Sequence, residues 1–357
     1  MGQYVMERWR ARSQPHSKRS FKPIRCCVQS LGVSMRRREF IAALGGTAVW
    51  PIVARAQQPK PVIGVLHPAS PDPLQQQLAE MSRALRQAGF VDGQNLVLEY
   101  RWANGQYDRL PALAAELIAR RVDMILALGA SGAVVKAATQ TIPIVAIFGG
   151  DPVAAGMVAS LNRPGGNLTG VALLAFPLGP KRLEVLREAL PGAKVIAVLA
   201  NPTMAEALPY TKDVAAIART LGQQIQILNA SNDQELESTF AVMKQRGVGA
   251  LLVMADPYFN VQRELIISLA ARHSIPAIYE WRQFTELGGL MSYGSSITDA
   301  YRQVGIYAAR VLKGEKPAEL PVYQTVKVEL VINLKTAKTL GIAFPLTLLG
   351  RADEVIE

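Results

Sequence analysis

Three acidic or amide side chains, Asp151, Asn201 and Asp256, each stand immediately before a proline and just after an apolar run. An Asx-Pro pair favours a turn or a helix start, so each side chain either caps the chain's own N–H groups or faces whatever lies beyond the turn. Ser70, Ser131 with Gly132, and Glu280 follow three further apolar runs, and Tyr293 adds an aromatic hydroxyl within GGLMSYGSS. Hydroxyl, amide and carboxylate groups set on turns can hold a small polar ligand by hydrogen bonds without transforming it. Asp151, Asp256 and Glu280 would take a donor group, while Ser70 and Ser131 would sit near helix starts, where an anion is favoured. An amino acid satisfies both halves, although a neutral amide or a sugar-like solute would meet several of the same groups.

Catalytic chemistry finds few parts. GASGA, at 129–133, lacks the third glycine of a dinucleotide fingerprint, and no Walker A motif occurs, so no cofactor is expected. Both cysteines, Cys26 and Cys27, lie near the start, and the only histidines beyond residue 56 are His67 and His273. A zinc site or a Ser-His-Asp triad is therefore short of ligands and bases. His67 follows a predicted strand, yet no carboxylate partner for a general base stands near it in sequence. Tyr100, Trp102, Tyr258, Trp281 and Tyr293 are candidate aromatic walls, although single aromatics are more often core.

The elements that would position these residues follow a βα rhythm. Short β-branched runs at 62–66, 96–100, 124–128 and 144–148 alternate with amphipathic stretches, the pattern of parallel sheets. Leu74, Leu78, Met81 and Leu85 recur at helical spacing as a core stripe. A second series at 195–199, 225–228, 251–254 and 276–279 repeats the pattern. The expected fold is α/β, two doubly wound parallel-sheet lobes joined by a three-segment hinge. Glycine-rich or extended stretches at 168–174, 288–294 and 325–330 are the predicted crossings. The lobes would be 59–172 with 292–324 and 173–291 with 325–357. In such sheets ligands sit beyond the carboxyl ends of the strands, where the polar residues above are placed.

Charge separates the body from what precedes it. Residues 1–56 hold eleven of the 39 basic and two of the 28 acidic residues, leaving 28 against 26 in the remainder. The body is thus near neutral despite the chain's formal +11, and nucleic acid, which demands a basic face, is not an expected partner. Within 35–56, Arg36, Arg37 and Arg38 precede an apolar run that ends at Ala54-Arg55-Ala56. This order is that of an export leader, and Arg37-Arg38-Glu39-Phe40-Ile41 is similar to the twin-arginine signal. Cleavage is expected near Ala56, with release to the periplasm. Residues 1–34 are basic and aperiodic, a non-native or disordered extension.

Longer stretches carry a family likeness. PIVAIFGGDPVAAGMVASLNRPGGNLTGV, GPKRLEVLREALP, GGLMSYG and the ending LLGRADEVIE resemble the ABC-transporter substrate-binding proteins related to tryptophan and tyrosine binders. The resemblance implies a type I periplasmic-binding-protein fold, a clamp that closes on a small-molecule solute and presents it to ABC transporter permease subunits. It implies no enzyme activity, and a monomer is expected. A cytosolic ligand sensor or a small-molecule α/β enzyme are the alternatives. The first would carry a DNA-binding motif, and the second an activated nucleophile or a cofactor motif.

Overall fold

The computed structural model describes residues 60–357, so the expected extension at 1–34 and leader at 35–56 lie outside the described residues. The chain runs β1 (Val62–His67), α1 (Gln75–Gln87), β2 (Val97–Trp102), α2 (Leu110–Ala119), β3 (Met124–Ala127), α3 (Gly132–Ala138), β4 (Ile144–Phe148) and β5 (Leu168–Ala172). Strands β3, β4 and β5 are buried at every position, as strands covered by helices on both faces must be, and this is why they read as unbroken apolar runs. β2 is half-buried throughout, as an edge strand is. It reaches two residues further than expected, to Trp102. Met81 and Leu85 of the helical stripe are fully buried on α1, with Leu74 buried just before it.

The second series follows as α4 (Gly179–Ala189), β6 (Val195–Ala200), α5 (Leu208–Thr220), β7 (Gln224–Asn229), α6 (Asp233–Gln245), β8 (Ala250–Val253), α7 (Pro257–Val261), α8 (Arg263–Arg272), β9 (Ala277–Tyr279), α9 (Arg282–Glu286) and β10 (Met291–Ser295). The chain then returns through α10 (Ile297–Leu312), which packs on α1, to β11 (Tyr323–Gln324), and crosses again to β12 (Val328–Asn333) and β13 (Glu354–Ile356). Two sheets result, with strand orders β11-β5-β4-β3-β1-β2 and β13-β12-β10-β9-β8-β6-β7. Every neighbouring pair is parallel except β10 with β12. Among the described residues, no helix is long and apolar enough to cross a membrane.

The crossings differ from those expected. Most of 168–174 is β5, paired along its length with β4. Most of 288–294 belongs to β10, paired with β9 and β12. The chain therefore leaves the second sheet after Ser295, where Ser296 caps α10 through Asp299 N–H, and the boundary expected at Ser292 falls inside a strand. The other two boundaries, after Ala172 and after Gln324, coincide with the ends of β5 and β11. Of 325–330 only the first three residues link the sheets. The glycines misled because two of them serve close strand approach rather than bending. A side chain at Gly170 would run into the main chain of Ala146, and one at Gly294 into the carbonyl of Glu280.

Candidate functional site

The carboxyl ends of β1, β3, β4 and β8, with the turns and helix starts beyond them, converge between the two sheets. His67, the last residue of β1, is buried, and its Nδ1 accepts the N–H of Ala69 at 2.9 Å. That nitrogen must be bare, so the proton resides on Nε2, which lies 2.9 Å from the Tyr301 hydroxyl and donates to it. Burial holds the imidazole down at about 3, so it is neutral at any physiological pH. Having accepted from His67, the Tyr301 hydroxyl keeps its own proton to donate. With Nδ1 on the Ala69 N–H and Nε2 on the Tyr301 hydroxyl, both ring nitrogens are engaged within the fold, and the ring fixes the position of that hydroxyl.

From the other lobe comes Asp256, three residues past β8. It caps α7, with Oδ1 accepting the N–H groups of Tyr258 (2.7 Å) and Phe259 (3.1 Å). Oδ2 accepts the hydroxyl of Tyr107, which reaches across from the first lobe at 3.2 Å. Burial raises the carboxyl to about 6, against the pull of these donors. Capping and cross-lobe contact are thus performed by one side chain. Two further hydrogen bonds span the junction, Asp151 N–H to the Tyr210 hydroxyl at 3.1 Å and Arg263 Nη1 to the Pro73 carbonyl at 3.2 Å.

Between the lobes lies a narrow, mostly apolar cleft with a cavity of about 60 Å³. His67, Ile147 and Tyr301 wall it on one side, Asp256, Asn260 and Trp281 on the other, and Phe176 of the first crossing stands between. Phe176 and Glu206 also border a second, outer cavity of about 370 Å³, which Gly132, Asp151 and Tyr210 line towards the surface.

Of the expected ligand residues, Asp256 borders the inner cavity and Gly132 and Asp151 the outer one, whereas Ser70, Ser131, Asn201, Glu280 and Tyr293 border neither. The Ser131 hydroxyl is taken by the carbonyls of Leu128 (2.8 Å) and Leu66 (3.1 Å), and so ties two strand ends together. Asn201 Oδ1 holds the turn after β6 by accepting from Thr203 N–H and its hydroxyl. Among the five aromatics singled out, only Trp281 lines the cleft. Tyr100 and Trp102 stack on each other at 5.5 Å on the edge strand, and Tyr258 turns its hydroxyl to Asp233 at 2.7 Å. Glu206, Phe176, Tyr210, Asn260 and Tyr301 were not legible. They sit on helix starts and on returning segments whose approach to the cleft only the chain's crossings create. His67 was visible, as a polar residue at a strand end.

Behind Trp281 lies a buried polar nest. Arg182 of α4 is fully buried and donates through Nη2 to the carbonyl of Ala175 (2.8 Å) and through Nη1 to that of Tyr293 (3.4 Å). Neither carboxylate oxygen of buried Glu280 finds a hydrogen-bond partner among the described residues. Burial pushes this carboxyl up to about 8, with the Arg182 charge pulling the other way, so it is protonated at neutral pH. A carboxyl that ionises near 4.5 in the unfolded chain but near 8 in the fold binds more protons when folded. Its contribution is therefore fully present below about pH 4.5 and lost as pH rises through about 8, with a slope of up to about 1.4 kcal/mol per pH unit. Glu280→Gln should flatten that fall, leaving urea midpoints equal to or above the parent's at pH 9. A parent profile flat from pH 5 to 9 would refute the burial argument.

The fold, with a cleft walled by both lobes, is that of the type I periplasmic binding proteins. The sequence pattern of the family described as ABC transporter substrate binding protein matches residues 62–356, and the chain belongs to that family. It is similar to the tyrosine-binding protein of Clostridioides difficile, with 25% identity over 259 residues, 72% of this chain and 74% of that protein. Among solved structures, it resembles the ABC domain from Streptococcus pneumonia in complex with L-Trp, with TM-score 0.75 and 26% identity over 83% of this chain and all of that one. A conserved domain protein from Vibrio cholerae gives TM-score 0.76 at 25% identity, covering 83% and 99%. The family and these named binders are solute-binding proteins, not enzymes.

Proposed function

We propose that this chain is the periplasmic capture component of an ABC importer. It takes a small organic solute between its lobes, closes on it, and presents the closed form to the permease subunits in the inner membrane. The observation that carries this reading is the cleft itself, walled from both lobes and bridged by Tyr107–Asp256, Asp151–Tyr210 and Arg263–Pro73. A ligand touching both walls stabilises the closed state by its differential affinity for it. Because one relative is named for tyrosine and another bound L-Trp, amino acids are the first class to present. The protein works as a monomer, exported through the twin-arginine-type leader and cut near Ala56.

The full chain, expressed in a bacterium with an outer membrane, should be recovered from the periplasm with the mass of a chain starting near Gln57. Small-angle scattering of that protein should show compaction when amino acids or the corresponding amines are added to saturation, as rigid lobes rotate about the crossings after Ala172, Ser295 and Gln324. Full-length chain retained in the cytoplasm, or identical profiles with every ligand that raises its melting temperature, would overturn the reading.

A further inference from the structure

The two cavities that meet at Phe176 and Glu206 are one-sided in charge. Glu206 and Asp256 border the inner one and Glu206 and Asp151 the outer one, while no lysine or arginine among the described residues borders either. His67, the remaining titratable base on the wall, is neutral. The guanidinium groups that reach the lobe junction are turned to main-chain carbonyls: Arg182 to Ala175 and Tyr293, Arg263 to Pro73 and Asn260. The buried N–H donors without a partner among the described residues, Arg182 Nε, Arg263 Nε and Asn201 Nδ2, belong to residues that border neither cavity, whereas one such acceptor does. Asn260 Oδ1, on a residue only 6% exposed that lines the inner cavity, has no hydrogen-bond partner. Asp256, though hydrogen-bonded by Tyr258, Phe259 and Tyr107, has no cationic partner on the wall. Glu206 is half-buried, and burial alone raises its carboxyl, which is the signature of an acid without a counter-charge. The rest of the wall is apolar, built from Leu74, Ile147, Leu173, Phe176, Met204 and Trp281.

We infer that the cleft takes an organic monocation, a protonated amine or amidine on an apolar body of aromatic size, and disfavours the same molecule once it carries a free carboxylate. The inference rests on the reading that this cleft is the solute site, and narrows the class of solute. An ammonium group would give Asn260 Oδ1 the donor it lacks and Asp256 and Glu206 a counter-charge, and Trp281 and Phe176 offer ring surfaces to its body and, within reach, to its charge. A zwitterion would bring its carboxylate into the same half-buried space beside Glu206 and Asp256, with no cation to receive it, and an unpaired charge there is unfavourable. The Ser131 hydroxyl is already turned to Leu66 and Leu128, and the hydroxyls left on the walls, Tyr301 and Tyr210, are neutral and bring no counter-charge.

The test is titration calorimetry on the mature protein, unfolded and refolded to strip bound solute, at pH 7.5. The probes are tyramine, tryptamine, the methyl esters of tyrosine and tryptophan, and the two parent amino acids. The amines and esters should bind at least tenfold more tightly than the parents. Glu206→Gln should weaken the amines at least tenfold while narrowing their advantage over the amino acids, and Asp256→Asn provides a second variant should the first fail to fold. The series on the unmodified chain decides the matter by itself. Amino acids binding as tightly as their amines, or a neutral solute binding where no amine does, would overturn this inference and leave the solute-binding reading intact if that ligand compacts the protein. Failure of every small molecule to bind or compact it would overturn both.

Discussion

Gly170→Ala should cost the chain about 3 kcal/mol or more, a large share of the roughly 5–15 kcal/mol by which domains are stable. Gly170 lies in the middle of β5, opposite Ala146 of β4, with φ +154, a conformation that L side chains rarely adopt. A methyl group there would overlap the carbonyl oxygen of Ala146 and stand 2.7 Å from its nitrogen. These are main-chain atoms, so no rotamer change relieves the overlap, and the strands must part. Because β5 leads into the first crossing, the damage should also loosen the link between lobes. Urea unfolding followed by circular dichroism checks this, with Gly192→Ala as control, since a methyl group at Gly192 meets nothing within 4 Å. Equal midpoints for the two variants would show that the strand spacing at β4–β5 yields more easily than the geometry states.

Arg182→Met should be the most damaging substitution among the charged side chains, lowering stability by about 3 kcal/mol. Its guanidinium holds the carbonyl of Ala175, in the first crossing, and that of Tyr293, in the strand that leads to the second. Methionine matches the apolar stem but leaves the buried carbonyl of Ala175 and the part-buried one of Tyr293 without this donor, a penalty that outweighs the relief of no longer burying a charge. Lysine should restore little, because a single ammonium lacks the fork that reaches two carbonyls at once. A double-mutant cycle with Glu280→Gln separates this tether from the charge on Glu280, since the Glu280 effect is confined to the pH range in which that carboxyl ionises. Cooperative melts with unchanged midpoints for Arg182→Met would show that water takes the place of the guanidinium.

Much of the fold was legible because its signals are local. Unbroken apolar runs such as 124–127 and 250–253 must be covered on both faces, and their alternation with amphipathic helices leaves parallel sheets as the economical arrangement. Asx-Pro pairs declared their turns correctly, for Asp256 does cap a helix and Asn201 does hold a turn. The crossings were harder, because a glycine needed for close approach of two backbones looks in sequence the same as one needed for a bend. Gly170 and Gly294 belong to the first kind.

The sequence by itself determined the two strand series, the strand ends that face a cleft, the near-neutral body and the family. Each follows from residue type and spacing within a window of a few turns, over which hydrophobic periodicity and turn chemistry act. Only the tertiary structure decided which polar groups look into the cleft and which look away. Ser131 was lost to two carbonyls from separate strand ends, and Tyr301 was gained because α10 returns to the first lobe after more than a hundred residues in the second. Arg182, on a helix whose neighbours are mostly polar, was drawn fully inside because the first crossing and strand β10 present carbonyls at the same point. A hydrogen bond is satisfied by whichever partner the fold brings within about 3 Å, and that distance is set by the packing of the lobes and not by separation along the chain.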